Sequence, residues 1–221
     1  MKVEIISATP QPNWVVSNAA GTSYGKSDYS EKRIKTCMAN GHLSVLEHVC
    51  ATWKISDISR SCSHQLVRHR LASYTEKSLR YTTPDLDNDD WYVIPPDIQN
   101  NRDSLCEYKR AMAMLRDQYL IMKGIFKIKN EDARFCLPLA TKTEITVTMN
   151  LREFLNFYEL RSAKDAQWEI RDLAEEMFDV LREHDANWKF LLETYFIEKW
   201  SRIMLHNNGI IAGPALGFAS Q

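Results

Sequence analysis

The sequence has few of the residues that build several common kinds of binding site. Its seven glycines form neither a Gly-x-Gly-x-x-Gly nor a Walker-type loop, so backbone amides at a glycine-rich turn are not expected to bind a phosphate. Its five cysteines include no Cys-x-x-Cys pair, which argues against a zinc site and against a disulfide framework. No spacing of His, Asp and Glu predicts a metal site. Any phosphate would therefore have to be bound by side chains.

Long apolar runs and an excess of one charge are also missing. The chain has 28 basic and 29 acidic side chains, which disfavours broad attraction to nucleic acid or to a membrane surface. No stretch approaches the roughly 20 apolar residues that span a bilayer, and the first ten residues do not resemble a signal peptide. We therefore expect a cytoplasmic protein with neither a nucleic acid nor a membrane partner.

Helical and strand patterns alternate along the chain without the regular rhythm of a βαβ protein. This mixture predicts an α+β fold, and the length of 221 residues favours one large domain over two small ones. Strands are predicted at 2–7, 50–58, 91–94 and 143–149, a helical turn at 44–48, and helices at 28–38, from 59, at 103–123, from 150 and around 168–181. From about residue 200 the sequence has the composition of a mobile tail.

The most informative stretch contains the run Arg68-His69-Arg70, followed after seven residues by Ser78. Two guanidinium groups beside an imidazole repel one another, and such a cluster is suited to bind an anion with several oxygens. Glu76, Ser78 and Arg80 alternate, so in an extended segment their side chains would lie on one side. The pattern suits a ligand with a phosphate and a hydrogen-bonding ring.

Three further arginines, Arg134, Arg152 and Arg161, lie in segments that are otherwise apolar. An arginine in such a segment needs a carboxylate, a carbonyl or a ligand as its partner. The carboxylate candidates are Glu76, Glu159 and Asp165. Internal salt bridges would explain any single arginine, but six arginines together with Gln65, Asn150 and Asn156 favour a ligand site.

These residues resemble the flavin-dependent thymidylate synthases. The signature of that family is Arg-His-Arg, seven residues and then Ser, which this sequence satisfies. Six more blocks match in the order of the family: His42 to His48, Gln65 to Arg68, Ser78 to Tyr81, Ala133 to Pro138, Asn150 to Arg152 and Ala166 to Ile170. The resemblance covers residues 1 to about 195, which sets a synthase domain at 1–197 and a tail of unknown role at 198–221.

The resemblance implies a fold, a reaction and an assembly. The fold is a single α+β domain with mixed helices around a central, mostly antiparallel sheet. The reaction is the reductive methylation of dUMP to dTMP, in which methylenetetrahydrofolate supplies the carbon and NADPH supplies electrons through FAD. The assembly is a homotetramer with shared active sites, and dUMP and folate are the small-molecule partners.

The resemblance also implies the roles of individual residues. Arg161 faces the uracil ring and favours its activated form, and Arg161 and Ser78 are the catalytic residues. The residues that bind FAD are Ser44, Arg68, His69, Arg70, Glu76, Asn150, Arg152 and Asn156. The residues that bind dUMP are Gln65, Arg68, Glu76, Lys77, Ser78, Leu79, Arg80, Arg134 and Arg161.

Three alternatives remain open. Cys136 could act as a nucleophile on the uracil ring, although between Phe135 and Leu137 it is more simply a small buried hydrophobic residue. Ser78 could be a nucleophile activated by His69, although a hydroxyl that donates to a ligand oxygen is the simpler interpretation. Asp165 stands where many family members carry histidine, so a regulatory protein that binds dUMP and FAD without turnover is the alternative function.

Overall fold

The structure of the chain, a computed structural model, describes residues 1–86 and 90–206, and the side chains of 1–86 and 90–201. Within these residues, one sheet of four strands is formed in the order β1-β2-β4-β3, and every neighbouring pair is antiparallel. The strands are β1 (Lys2–Ala8), β2 (Cys50–Ser59), β3 (Ala72–Glu76) and β4 (Lys142–Asn150). The predicted α+β class, with its antiparallel sheet, is confirmed.

The two faces of the sheet differ in polarity because side chains alternate along each strand. On one face, Trp53 lies opposite Val147 and Ile55 opposite Ile145, and all four side chains are fully buried. On the other face, Thr52 lies opposite Thr148, and their hydroxyls form a hydrogen bond of 2.9 Å. The sheet therefore has one apolar face that packs into the core and one polar face.

Nine α-helices and two 3-10 turns lie in the described segments. The helices are α1 (Pro12–Thr22), α2 (Glu31–Ala39), α3 (Arg60–Leu66), α4 (Pro96–Gln99), α5 (Arg102–Gly124), α6 (Asn130–Ala133), α7 (Leu151–Arg161), α8 (Trp168–His184) and α9 (Ala186–His206), and the 3-10 turns are Leu43–His48 and Arg134–Cys136. No helix of the described segments is long and apolar enough to cross a membrane.

The main core forms where α7 and α8 pack against the sheet and α9 packs against α8. Phe154 of α7 stacks on Trp53 of β2 with ring centroids 4.9 Å apart, and both rings are fully buried. Leu173 of α8 and Trp188 of α9 are also fully buried in this core. Stacked aromatic pairs add to the free energy of simple burial, so this contact fixes α7 firmly against the sheet.

A second, smaller core lies under α5. Tyr119 of this helix is buried together with Trp91 and Tyr92 from the segment that precedes α4. Cys136 and Leu137 pack against the same cluster. The second core holds the 134–140 segment, which leads directly into β4.

Most of the predicted elements are present, with boundaries shifted by a few residues. The helix predicted at 28–38 spans Glu31–Ala39, and Gly41 then adopts a φ of 74°, which favours glycine. The strand predicted at 91–94 is wrong, because this segment makes only an isolated bridge between Tyr92 and Thr141. The domain boundary predicted at residue 197 falls within α9, and 207–221 of the predicted tail lie outside the described residues.

Helices α1 and α9 and strand β3 are absent from the sequence-based prediction. The α1 sequence contains Val, Asn, Thr and Gly, which are poor helix formers, and its amphipathic pattern is weak. Burial of Val16 in the main core, together with burial of Ala20, outweighs that weak propensity. Tertiary packing therefore decides this helix.

Ser59 connects the sheet to two helices. It caps α3 by accepting a hydrogen bond from the backbone N–H of Cys62 at 3.0 Å. Its hydroxyl donates to Oε2 of Glu169 at 2.5 Å, and its backbone N–H donates to Oε1 of the same carboxylate at 2.6 Å. Because Ser59 and Glu169 are both buried, these hydrogen bonds are shielded from water.

We expect Ser59→Ala to lower the free energy of unfolding by roughly 2–4 kcal/mol, because it removes a helix cap and one donor to a buried carboxylate. Ser61→Ala is the matched control, since Ser61 is exposed and its hydroxyl makes no hydrogen bond in the described part of the chain. Urea unfolding at one fixed protein concentration measures both variants. Equal midpoints for the two variants would contradict this role.

Candidate active site

The Arg68-His69-Arg70 run lies in the turn between α3 and β3. The hydroxyl of Tyr74 on β3 reaches back to this turn and donates to the carbonyl oxygens of Leu66, at 2.9 Å, and His69, at 2.8 Å. The backbone N–H of His69 donates to the carbonyl of Leu66 at 3.2 Å. These contacts fix the backbone of the run at the end of α3.

His69 is the buried member of the run, with 6% of its surface exposed. Its ring makes an edge contact with Phe157 of α7, with centroids 5.0 Å apart. Its Nε2 accepts a hydrogen bond of 3.0 Å from Nε of Arg161, which is 92 residues away in the sequence. Burial, together with the charge of Arg161, lowers the pKa of His69 to about 4, so the ring is neutral near pH 7.

The opposite nitrogen of His69 faces a carboxylate that no sequence motif indicated. Nδ1 lies 3.5 Å from Oε1 of Glu153, whose side chain is 7% exposed. Burial raises the pKa of Glu153. In the sequence Glu153 follows Asn150 by three residues, a spacing typical of a solvent-exposed helix cap, so the local pattern gave no sign that it is buried.

Arg68 and Arg70, on either side of His69, are exposed. Neither guanidinium group forms a hydrogen bond or an ion pair with another residue that the structure describes. Two unpaired cations beside a buried neutral ring repel each other, and an anionic ligand would relieve this repulsion. The geometry therefore fits the expectation that this turn binds an anion.

The other residues predicted to bind FAD cluster around the start of α7. Asn150 caps this helix, and its side-chain oxygen accepts from the backbone N–H of Glu153 at 2.9 Å. Asn156, one turn further on, donates to Oε2 of Glu153 at 3.4 Å. Arg152 is exposed and pairs with Glu47, in the same 3-10 turn that carries the exposed Ser44.

Glu76, at the end of β3, lies in a separate cluster of polar side chains. Its Oε1 accepts from the hydroxyls of Ser63 and Thr143, each at 2.9 Å, and from Nη1 of Arg60 at 3.3 Å. Nη2 of Arg60 donates to the carbonyl of Lys77 at 2.7 Å. Burial, together with the nearby charge of Arg134, lowers the pKa of Arg60. Arg60 therefore ties the end of β3 to the segment that follows it.

The chain turns after Lys77 and does not stay extended. The backbone N–H of Thr82 donates to the carbonyl of Ser78 at 2.9 Å, and Leu79 is buried within this turn. The expectation that Glu76, Ser78 and Arg80 share one side of a strand is therefore wrong. Arg80 instead pairs with Glu131 at 3.4 Å.

The three arginines in apolar segments do not pair with the carboxylates that were expected for them. The prediction that Glu76, Glu159 or Asp165 serves as the partner is therefore wrong. Arg161 contacts the His69 ring, and Nε of Arg134 donates to the backbone carbonyl of Glu131 at 3.1 Å. Glu159 instead accepts from Tyr195 at 3.0 Å and from Lys199. The helix places Glu159 toward α9, on a different side from Arg161.

Gln65 and Ser78 make few contacts within the chain. Nε2 of Gln65 lies 3.4 Å from the side-chain oxygen of Gln167, which caps α8. The hydroxyl oxygen of Ser78 accepts from the backbone N–H of Arg80 at 3.3 Å. No hydrogen bond joins Ser78 to His69 in the part of the chain that the structure describes, so no base contacts this hydroxyl.

Among the side chains that the structure describes, the cysteines and the possible metal ligands show no reactive arrangement. Cys136 packs against the second core, and burial raises the pKa of the Cys37 and Cys62 thiols. Over residues 1–86 and 90–201, no group of three or more His, Cys, Asp or Glu side chains is arranged to hold a metal ion.

Comparison with known proteins gives one family. The family model described as thymidylate synthase complementing protein matches residues 4–185. A flavin-dependent thymidylate synthase of Pyrococcus furiosus is 39% identical over 200 residues, which cover 84% of this chain and 80% of that protein. One of Pyrococcus horikoshii is 42% identical over 194 residues, covering 81% and 78%.

A solved structure agrees with this result. The crystal structure of the flavin-dependent thymidylate synthase ThyX of Helicobacter pylori, complexed with FAD and dUMP, superposes with a TM-score of 0.66 at 28% identity, covering 82% of this chain and 94% of that chain. This chain therefore belongs to the thymidylate synthase complementing protein family, that of the flavin-dependent thymidylate synthases. The family predicted from the seven sequence blocks is confirmed, and with it the assignment of the chain as an enzyme.

The lowered pKa of His69 predicts how stability changes with pH. The unfolded chain binds a proton on His69 below about pH 6.5, whereas the folded chain does so only below about pH 4. The unfolded state therefore binds more protons in this window, and the free energy of unfolding falls as the pH falls. By pH 4, the free energy of unfolding has fallen by roughly 3 kcal/mol because of His69.

We expect His69→Gln to remove this part of the pH dependence, so that the variant loses less stability between pH 6.5 and pH 4 than the unmodified protein. His64→Gln is the control, since His64 is an exposed histidine on the neighbouring helix. Urea unfolding without added ligand, repeated at several pH values, measures the slope of the free energy of unfolding against pH for each protein. Equal slopes for all three proteins would show that His69 is not the group responsible.

Proposed function

We propose that this protein converts dUMP to dTMP by reductive methylation, using FAD, with methylenetetrahydrofolate as the carbon donor and NADPH as the electron donor. The relatives named flavin-dependent thymidylate synthase and the Helicobacter pylori structure with FAD and dUMP support this proposal. The observation that carries it is the hydrogen bond between Arg161 and His69, because it joins the Arg-His-Arg signature to the arginine that matches the uracil-binding residue of the family.

The flavin site is proposed around the turn before β3 and the start of α7. Arg68 and Arg70 present unpaired guanidinium groups, which fit the diphosphate of FAD as bidentate donors. In the sequence, His69 with its neutral ring lies between them. Ser44, Glu76, Asn150, Arg152 and Asn156 complete the proposed FAD-binding set. When bound, the flavin supplies hydride transfer, which protein side chains cannot provide.

The nucleotide site is proposed to extend from α3 to the 134–140 segment. Ser78 and Arg80 lie on the turn that Arg60 ties to Glu76, and they would contact the phosphate region and the base of dUMP. Lys77 and Leu79 belong to the same turn. Gln65, Arg68, Arg134 and Arg161 complete the proposed dUMP-binding set.

Arg161 is proposed to activate the uracil ring electrostatically. Its Nε donates to His69, while its terminal amino groups make no hydrogen bond to any residue that the structure describes. These amino groups are therefore available to carbonyl oxygens of a pyrimidine. A guanidinium group does not lose its proton in a protein, so Arg161 stabilises negative charge that develops on the ring and does not transfer a proton.

The active site is proposed to be shared between subunits of a homotetramer. Large apolar side chains that follow three of the proposed site arginines in the sequence are exposed: Leu71 is 73% exposed, Tyr81 78% and Phe135 84%. A cavity of about 240 Å³ near Lys77 is lined by Trp91 and Lys142 and by none of the signature arginines. Exposed apolar surface around unpaired arginines supports a site that a second copy of the chain completes.

A regulatory protein without turnover is the second candidate. The observation that favours it is Asp165, which is exposed in the turn between α7 and α8, four residues after Arg161. A carboxylate there adds negative charge where many family members have histidine. Binding of dUMP without oxidation of NADPH would identify this second function.

The proposed reaction is tested by supplying the purified protein with FAD, NADPH, methylenetetrahydrofolate and dUMP and measuring dTMP. We expect both the unmodified protein and the Cys136→Ala variant to form dTMP at rates within about threefold, because the proposed chemistry needs no cysteine nucleophile. NADPH should also bleach the absorbance of the bound flavin. Absence of dTMP from folded, FAD-loaded protein would exclude the proposal, and loss of activity in the variant alone would restore Cys136 as nucleophile.

We expect Arg70→Ala to weaken FAD binding by about 10- to 100-fold, because it removes a charge-assisted contact to the diphosphate. Arg110→Ala is the control, since Arg110 is also exposed but pairs with Glu107 on the surface of α5. Fluorescence titration with FAD gives the dissociation constants, and thermal unfolding checks that both variants are folded. An affinity equal to that of the control would remove Arg70 from the flavin site.

A further inference from the structure

Glu153 is a buried carboxylate that the proposed reaction does not use. It has 6% of its surface exposed, and none of the Lys or Arg side chains that the structure describes forms an ion pair with it. Asn156 donates to its Oε2 at 3.4 Å, and its Oε1 lies 3.5 Å from Nδ1 of His69. A buried carboxylate without a cation is costly, so its position requires a compensating contact.

The contacts of His69 determine which of its nitrogens carries the proton. Arg161 is always protonated, so Nε2 can accept its Nε–H at 3.0 Å only if Nε2 carries no hydrogen. A neutral imidazole has one N–H, which must then be on Nδ1, where it faces Glu153. The other tautomer would place two N–H groups against each other and a lone pair against the carboxylate.

No other charged group that the structure describes competes for this ring. Glu153 and Arg161 both approach it from α7, and the third α7 contact is the apolar ring of Phe157. From β3, the hydroxyl of Tyr74 contacts the backbone carbonyl of His69 and not its ring. The carboxylate of Glu153 and the guanidinium group of Arg161 therefore contact opposite nitrogens of the same imidazole ring.

We propose that Glu153 is a positioning residue that holds the proton of His69 on Nδ1, so that Nε2 orients Arg161 for the nucleotide. This inference rests on the proposed function. The connected side chains run from Asn156, on the proposed flavin side, through Glu153 and His69 to Arg161, on the proposed uracil side. Glu153 contacts neither ligand in this scheme and acts only through His69.

The first test is the protonation state of His69 in the unmodified protein. We expect ¹⁵N NMR of histidine-labelled, FAD-loaded protein at pH 7 to show Nδ1 protonated and Nε2 unprotonated for His69, whose signals are identified by their loss in His69→Gln. A ring protonated on Nε2 would overturn the proposal. This measurement requires no catalytic activity, so its result is independent of the proposed reaction.

The second test is the substitution Glu153→Gln, which keeps the shape of the side chain and removes its charge. We expect the dissociation constant for dUMP, measured by calorimetric titration of FAD-loaded protein, to rise at least about tenfold, because a neutral amide oxygen accepts from Nδ1–H more weakly than a carboxylate does. FAD retention should stay within about threefold of the unmodified protein, and the Nε2-protonated form of His69 should become detectable by NMR.

Glu159→Gln is the matched control on the same helix, because its carboxylate accepts from Tyr195 and Lys199 and has no contact with His69. We expect it to leave dUMP affinity and the His69 tautomer unchanged. Equal dUMP affinity in the two variants would refute the positioning role. If the unmodified protein itself fails to bind dUMP, the proposed function fails. Comparison of the His69 NMR signals of the unmodified protein with those of Glu153→Gln still decides whether Glu153 controls the His69 proton.

Discussion

The hydrogen bond from Arg161 to the buried ring of His69 is the interaction on which the site depends. It connects the end of α7 to the turn between α3 and β3, two segments that are 92 residues apart in the chain. The pKa of His69 is lowered because a buried imidazole next to a guanidinium group is disfavoured in its charged form. The ring therefore stays neutral and can serve as an acceptor for a permanent cation.

Burial divides the site into a fixed part and an exposed part. His69 and Glu153 are buried, and Glu76 is held by three donors from β4 and α3. Arg68 and Arg70, by contrast, are exposed and unpaired within the described segments. This arrangement places free cations on a rigid support, so the proposed binding of an anion would require little ordering of other side chains.

The fixed part depends in turn on the packing of α7 against the sheet. Phe154 stacks on Trp53, while Phe157, one turn later, contacts the His69 ring. The same helix face thus holds the core together and shapes the wall of the site. Because protein cores are closely packed, a shift of α7 would move Arg161 and Glu153 together relative to His69.

The sequence determined the family, the α+β class and most of the helices and strands, because these follow from local patterns and from ordered blocks of residues. It also predicted that Arg161 and His69 belong to one site, and the structure brings these two side chains into contact. It gave no sign of Glu153 as a buried group, because an Asn followed three residues later by Glu is typical of an exposed helix cap. Helix α1 was likewise missed, since its weak propensity is outweighed by packing.

Only the tertiary structure decided which partner each arginine takes. Carboxylates near Arg161 in sequence, Glu159 and Asp165, are not its partners, because helix geometry directs Glu159 toward Tyr195 and Lys199 of α9. The turn at Ser78 likewise ends an alternation that would otherwise have placed Arg80 beside Glu76. Residue types are fixed by the sequence, but the distances between charges depend on how distant segments pack, and no local pattern contains that information.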